Sequence, residues 1–145
     1  MKPLKQLAAL AALMIAMPFA QASVYSEIED SDAALAGQGF YPSHDEDGTG
    51  ALAENEEKLT EFVLTRNETY MFTAVCDDDC TDIDLYVYDD NGQLIELDDE
   101  DDDFPIVGFT AEYSGSYYAE VTMYECATKY CGYIVRAYKE AQLGY

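Results

Sequence analysis

The sequence predicts an all-β protein, an antiparallel β-sandwich of jelly-roll type with about seven to eight strands and a short N-terminal helix. Apolar and polar residues alternate with a period of two from Lys58 onward, and tyrosines and β-branched residues are frequent there. Turn signals such as Asn91-Gly92 separate these stretches at regular spacing. The predicted strands are Leu59–Thr65, Thr69–Cys76, Asp82–Asp89, Gln93–Leu97, Ile106–Ala111, Ser116–Glu125 and Gly132–Lys139.

The first 22 residues have the form of a secretory signal peptide. Lys2 and Lys5 form a basic leader, an apolar run follows, and an A-x-A cleavage site ends at Ala22. Cleavage after Ala22 would export the protein to the periplasm or the exterior. It would also remove two lysines and change the net charge from −23 to −25.

The mature chain is predicted to have two regions. Ser26 and Glu29 form a capping box, which predicts a short helix from about Glu27 to Ala36. The rest of residues 23–57 is rich in glycine and acids and is predicted to be a linker or extended arm. The sandwich domain then occupies residues 58–145.

Four cysteines in an exported protein predict two disulfides. They occur as two close pairs, Cys76 with Cys80 and Cys126 with Cys131. Pairing within each pair is the expected connectivity among the three that four cysteines allow. Such bridges would fix the shape of two tight loops.

Strand direction predicts that acidic segments gather at one end of the sandwich. If every strand reverses direction, the connections Cys76–Thr81, Asp98–Pro105 and Cys126–Cys131 share one end with residues 54–57, which lead into the first strand. We call these four segments the acidic pole.

Mutual repulsion at the acidic pole predicts a site for a divalent cation. No lysine or arginine occurs between Arg66 and Lys129, and Ca²⁺ accepts about six to eight oxygen ligands in flexible geometry. The EF-hand spacing is absent. The alternative is that the run Asp98–Asp103 is a solvated loop, as most acid runs are. The candidate ligands are Glu54, Glu56, Asp77, Asp79, Asp82, Asp99, Asp101 and Asp103.

Catalysis is not predicted. The only histidine is His44, in the arm, and no nucleophile motif is present. A small hydrolase that uses two carboxylates is the least favoured alternative, because nothing in the sequence selects one pair. It would require one carboxyl group with a strongly raised pKa in a concave site.

The high negative charge favours some partners and excludes others. Nucleic acids and anionic membranes would be repelled. The protein is expected to be a monomer. The alternative to a calcium-binding module is an interaction protein, of inhibitor or immunity type, that presents its acids to a basic protein without calcium. Tyr86 and Tyr88 share one face of their strand. They predict either a platform for a polysaccharide or extended peptide or an ordinary half-packed outer face.

Motifs between Thr60 and Tyr138 resemble the bacterial pre-peptidase C-terminal domain, a small β-sandwich. The matching elements are D-I-D-L-Y-V-Y at residues 82–88 with Asn91-Gly92, F-T-A at 109–111, S-G-S-Y-Y at 114–118 with Val121, and Gly132-Tyr133. The resemblance implies a non-catalytic accessory or binding module, here a stand-alone secreted one. Some members bind Ca²⁺ through acids before the first strand, which here are in Glu54-Asn55-Glu56-Glu57.

Overall fold

A computed structural model describes residues 19–44 and 47–142, with side chains from residue 23 onward. The predicted signal peptide lies mostly outside these residues. The described chain forms two antiparallel sheets packed face to face with one N-terminal helix, which confirms the predicted β-sandwich. The elements are α1 (Phe19–Ala36), β1 (Phe40–Pro42), β2 (Gly48–Leu52), β3 (Glu57–Leu64), β4 (Thr69–Cys76), β5 (Cys80–Tyr88), β6 (Leu94–Asp98), β7 (Ile106–Thr110), β8 (Gly115–Cys126) and β9 (Cys131–Glu140).

The two sheets contain all seven strands that the sequence predicts, with ends within two residues of the predicted ones. Sheet A has the order β1-β9-β4-β7, and β2 also pairs with β9. Sheet B has the order β3-β8-β5-β6. The alternating apolar residues of both sheets meet in one core, in which Phe62, Phe72 and Leu85 are almost fully buried.

The segment predicted as an acidic arm contributes strands β1 and β2, which the sequence did not predict. Both pair with β9, and the register aligns Gly48 with Val135. The small residues Gly-Thr-Gly-Ala carry no period-two apolar pattern, so pairing with β9 determines their conformation. Gly48 also lies so close to the side chains of Thr60 and Val135 that a Cβ atom there would overlap both.

Helix α1 is longer than predicted, because it begins at Phe19 instead of Glu27. Ser26 therefore lies inside the helix, and the predicted capping box is wrong. Val24 and Ile28 are one turn apart and buried, and they pack on the outer face of sheet A. This docking stabilises helical turns that precede the predicted cap.

Polar contacts also hold α1 to sheet A. Arg136 on β9 forms ion pairs with Asp32 of the helix and with Asp47, each with an N–O distance of 2.7 Å. Tyr138 donates its hydroxyl to the same Asp32 at 2.6 Å. The helix is therefore an integral part of the domain, and it covers one face of sheet A.

The disulfides have the predicted local connectivity, Cys76–Cys80 and Cys126–Cys131. Each bond joins the end of a strand in one sheet to the start of a strand in the other, so both link sheet A to sheet B at the acidic pole. Disulfides of this kind persist in oxidising environments outside the cytosol. Within the described residues, no helix is long and apolar enough to span a membrane.

Candidate cation site

The segments of the acidic pole lie together, as strand direction predicts. The backbone amide of Asn55 donates to the carbonyl of Met123 at 2.6 Å, which joins the entry of β3 to the end of β8. The amide of Ala127 donates to the carbonyl of Asp79 at 2.8 Å and joins the two disulfide loops. The fold thus concentrates carboxylates from distant parts of the sequence at one end.

Asp77 has a structural role within this pole. The residue is 2% exposed. One carboxylate oxygen accepts the amide of Gly132 at 2.7 Å, and the other accepts the amide of Asp79 at 3.1 Å. Both oxygens therefore serve the backbone of the disulfide loops, and a cation would have to compete with these bonds.

Glu54 and Glu56 also bind neighbouring backbone. Glu54 accepts the amide of Cys126 at 3.3 Å, and Glu56 accepts the amide of Ala53 at 3.1 Å. Each of these carboxylates leaves one oxygen without a described partner. They lie just before β3, across sheet B from the loop that follows β6.

The structure brings four aspartates to one pocket on the outer face of sheet B. Asp82 and Asp84 lie on β5, and Asp99 and Asp101 lie on the loop after β6. They line a cavity of about 260 Å³ together with two tyrosines. We call these four aspartates the aspartate pocket. The predicted ligands Asp82, Asp99 and Asp101 are therefore brought together, whereas Glu54, Glu56, Asp77, Asp79 and Asp103 do not line this pocket.

The acidic loop is ordered by its own carboxylates and by contact with β5. Asp98 accepts the amides of Glu100 at 3.2 Å and of Ile106 at 2.9 Å, which closes the loop at both ends. The amide of Ile83 donates to the carbonyl of Asp102 at 3.1 Å and holds the loop against β5. The run Asp98–Asp103 is therefore folded back on the sheet.

Asp82 and Asp84 are buried without adequate partners. They are 5% and 7% exposed, and the Oδ1 atom of each has no hydrogen-bond partner. Within the described residues, no lysine or arginine forms an ion pair with either of them. A buried carboxylate without a donor or a counter-charge is strongly destabilising.

The pKa values reflect this environment. Burial raises the pKa of Asp84 to about 6, and the adjacent charge of Asp82 and a proton shared with it contribute further. The pKa of Asp82 is also raised, first by burial and then by the charge of Asp101. The folded pocket therefore disfavours the ionised form of both carboxyl groups.

The pocket does not provide a complete coordination shell in this conformation. Among the described side chains, no three of Asp, Glu, His or Cys converge in an arrangement that holds a metal ion. Asp99 and Asp101 are exposed on the loop and would have to turn toward Asp82 and Asp84. Ca²⁺ tolerates such irregular geometry and completes its shell with water, whereas Mg²⁺ requires a near-ideal octahedron.

Sequence reasoning did not include Asp84 among the candidate ligands, although a signal for it exists. Residues at i and i+2 of a strand point to the same face. Asp82 and Asp84 therefore share a face of β5, with Tyr86 next in line. The sequence does not reveal that the loop after β6 lies against β5, so that Asp99 and Asp101 line one pocket with Asp82 and Asp84.

Comparison with protein-family models gives no match, and comparison with curated proteins gives none either. The resemblance to the pre-peptidase C-terminal domain therefore rests on the short motifs alone and stays a prediction.

Proposed function

We propose that this protein is a non-catalytic, exported binding module that takes Ca²⁺ in the aspartate pocket. The observation that carries the proposal is the pair of buried Oδ1 atoms on Asp82 and Asp84, neither of which has a hydrogen-bond partner. A divalent cation would supply the missing partner to both atoms at once. It would also offset the burial and the neighbouring negative charges that raise the two pKa values.

The chemistry of the pocket favours a hard cation. Its donors are carboxylate oxygens with neighbouring phenol oxygens from Tyr86 and Tyr124, and no sulfur or imidazole lines it. Such all-oxygen sites suit Ca²⁺ better than transition metals. Because two of the four aspartates lie on a loop, the expected Kd is in the range of extracellular modules, about 10⁻⁴ to 10⁻³ M.

Thermal unfolding of the oxidised protein tests the proposal. Unfolding is measured first in EDTA and then with Ca²⁺ added up to about one hundred times Kd. Relative to the metal-free protein, a specific site should add about 2.7 kcal/mol to the free energy of unfolding. This corresponds to a rise in Tm of roughly 10 °C for a domain of this size. The expected response saturates and exceeds that to Mg²⁺ at equal ionic strength. Equal and unsaturating responses to the two ions would show simple screening and contradict the proposal.

Amide variants locate the site. Asp82→Asn and Asp84→Asn should each abolish the saturable response to Ca²⁺. Asp90→Asn removes the same charge from an exposed turn at the opposite end and should keep the response. Loss of the response in all three variants would mean that total charge, and not this pocket, governs it.

One observation favours a second candidate, a small hydrolase that uses two carboxylates. Asp84 has its pKa raised to about 6 in a concave site, which is the property that a general acid requires. This candidate predicts that Asp84→Asn abolishes the hydrolysis of an aryl glycoside. It also predicts that activity is retained in EDTA. No turnover by the wild-type protein would count against it.

A further inference from the structure

The outer face of sheet B carries an unusual set of exposed apolar side chains. Strand register places Leu59, Glu120, Tyr86 and Leu97 in one row across the four strands. The adjacent row contains Glu61, Tyr118, Tyr88 and Leu94. Leu59, Leu94 and Leu97 are 51%, 47% and 40% exposed. Exposed apolar side chains concentrated on one face mark an interaction surface.

The two rows form a groove. Leu59, Tyr88, Tyr118 and Glu120 line a cavity of about 380 Å³, with the Asp89–Gly92 turn at its rim. We call this cavity the tyrosine groove. It is open on the solvent side, whereas helix α1 covers the corresponding face of sheet A.

The charge of the tyrosine groove is entirely negative. Glu120 lies among the apolar side chains, 3.5 Å from the hydroxyl of Tyr88, and burial and the nearby charge of Glu57 raise its pKa. Lys58 is the one basic residue in the strands of sheet B. It alternates with Leu59 and so belongs to the opposite face. The carboxylate of Glu120 thus has no cationic partner on this surface among the described residues.

We propose that the tyrosine groove binds a lysine- or arginine-bearing segment of a basic protein. The aliphatic part of such a side chain would lie along Leu59 and the tyrosine rings, and its charged group would reach Glu120. The ring faces of Tyr88 and Tyr118 add cation–π attraction. Asp89 and Asp90 at the rim would attract further basic residues of the same segment. This binding uses no residue of the aspartate pocket and needs no calcium.

Calorimetric titration of the purified protein with a hexa-arginine peptide in EDTA tests the proposal. We expect saturable one-to-one binding that weakens as NaCl is added. Glu120→Gln should weaken binding about fivefold to tenfold, and Tyr118→Ala by a similar factor. The glutamine keeps an acceptor for Tyr88. Glu29→Gln removes the same charge from the exposed face of helix α1, and it should change Kd by less than about twofold.

The controls separate this surface from general attraction to an acidic protein. Equal weakening by Glu120→Gln and Glu29→Gln, or binding without a defined stoichiometry, would overturn the proposal. Binding of cellohexaose but not of the peptide would overturn it too, since it would make the groove a polysaccharide platform. The variant Asp84→Asn should bind the peptide as well as the wild type does. If the wild-type protein binds the peptide in this way but does not bind Ca²⁺, the result contradicts the proposed function and leaves the peptide-binding proposal standing.

Discussion

Asp84→Asn should make the metal-free protein more stable near neutral pH, although it removes a native side chain from a buried position. The wild-type carboxylate has no donor for its Oδ1 atom and lies beside Asp82. An asparagine is neutral and is close in size to aspartate. Its amide group can also donate to the unpartnered Oδ1 atom of Asp82.

The magnitude follows from the pKa. Asp84 titrates at about 6 in the folded protein and at 3.8 when unperturbed. This difference of roughly two pH units corresponds to about 3 kcal/mol, an upper limit for what Asp84→Asn relieves. For a domain of this size the corresponding rise in Tm is about 10 °C.

The sign of the pH dependence is opposite to that of an ordinary ion-paired aspartate. Because the folded state holds the Asp84 proton more tightly than the unfolded state, this proton contributes stability that is fully present below pH 3.8. The contribution is lost as the pH rises through about 6. The difference in stability between variant and wild type should therefore be small near pH 4 and largest above pH 7.

Thermal unfolding in EDTA across this pH range measures the effect, with Asp90→Asn as the matched control. The reasoning would be refuted if Asp84→Asn were neutral or destabilising at pH 8, or if its effect were the same at pH 4. Added Ca²⁺ should narrow or close the difference in stability, since only the wild type responds to it.

Three further changes test the scaffold, each by urea denaturation of the oxidised protein. Gly48→Ala should destabilise by about 2 kcal/mol, because a Cβ atom would overlap side chains of β3 and β9; an unchanged midpoint would show that β2 is not held tightly against β9. Asp77→Ala should lower the free energy of unfolding by about 2 kcal/mol or more, because two loop amides lose their acceptor. A decrease of less than about 0.5 kcal/mol would mean that water replaces the carboxylate as acceptor. Arg136→Met should destabilise by about 2 kcal/mol, since Asp32 loses its ion pair to sheet A. The exposed Arg66→Met is the control, and an equal effect of the two would contradict the role of the ion pair.

The sequence predicts the strands of the sandwich well where period-two alternation is strong. Asp82–Asp89 is the clearest such case, because its apolar side chains fill the core and Asn91-Gly92 fixes the turn. Strands β1 and β2 lack this signal, and β9 determines their pairing through tertiary contacts. The predicted start of α1 is wrong for a related reason. Val24 and Ile28 dock on sheet A, and this docking outweighs the local capping preference of Ser26.

The candidate site was predictable as a region but not as a set of ligands. Reversal of strand direction is sufficient to place the acidic segments at one end. Which carboxylates turn inward depends on the path of the loop after β6, which a backbone bond to Ile83 fixes. Asp77 is typical of the predicted ligands that do not line the aspartate pocket. It fits the acidic pattern, yet its oxygens are used by the amides of Asp79 and Gly132.

The two disulfides link the layers of the sandwich at the end where negative charge is most concentrated. Coulombic repulsion among the acidic loops tends to swell the molecule there, and the covalent links oppose this swelling directly. The far end, around the turns at Asn67 and Ser114, is closed by noncovalent contacts such as the bond from the Arg66 amide to Ser114. While the disulfides are intact, the two sheets should therefore separate more readily at the far end than at the acidic pole. Reduction should loosen the acidic pole first, and most strongly at low ionic strength.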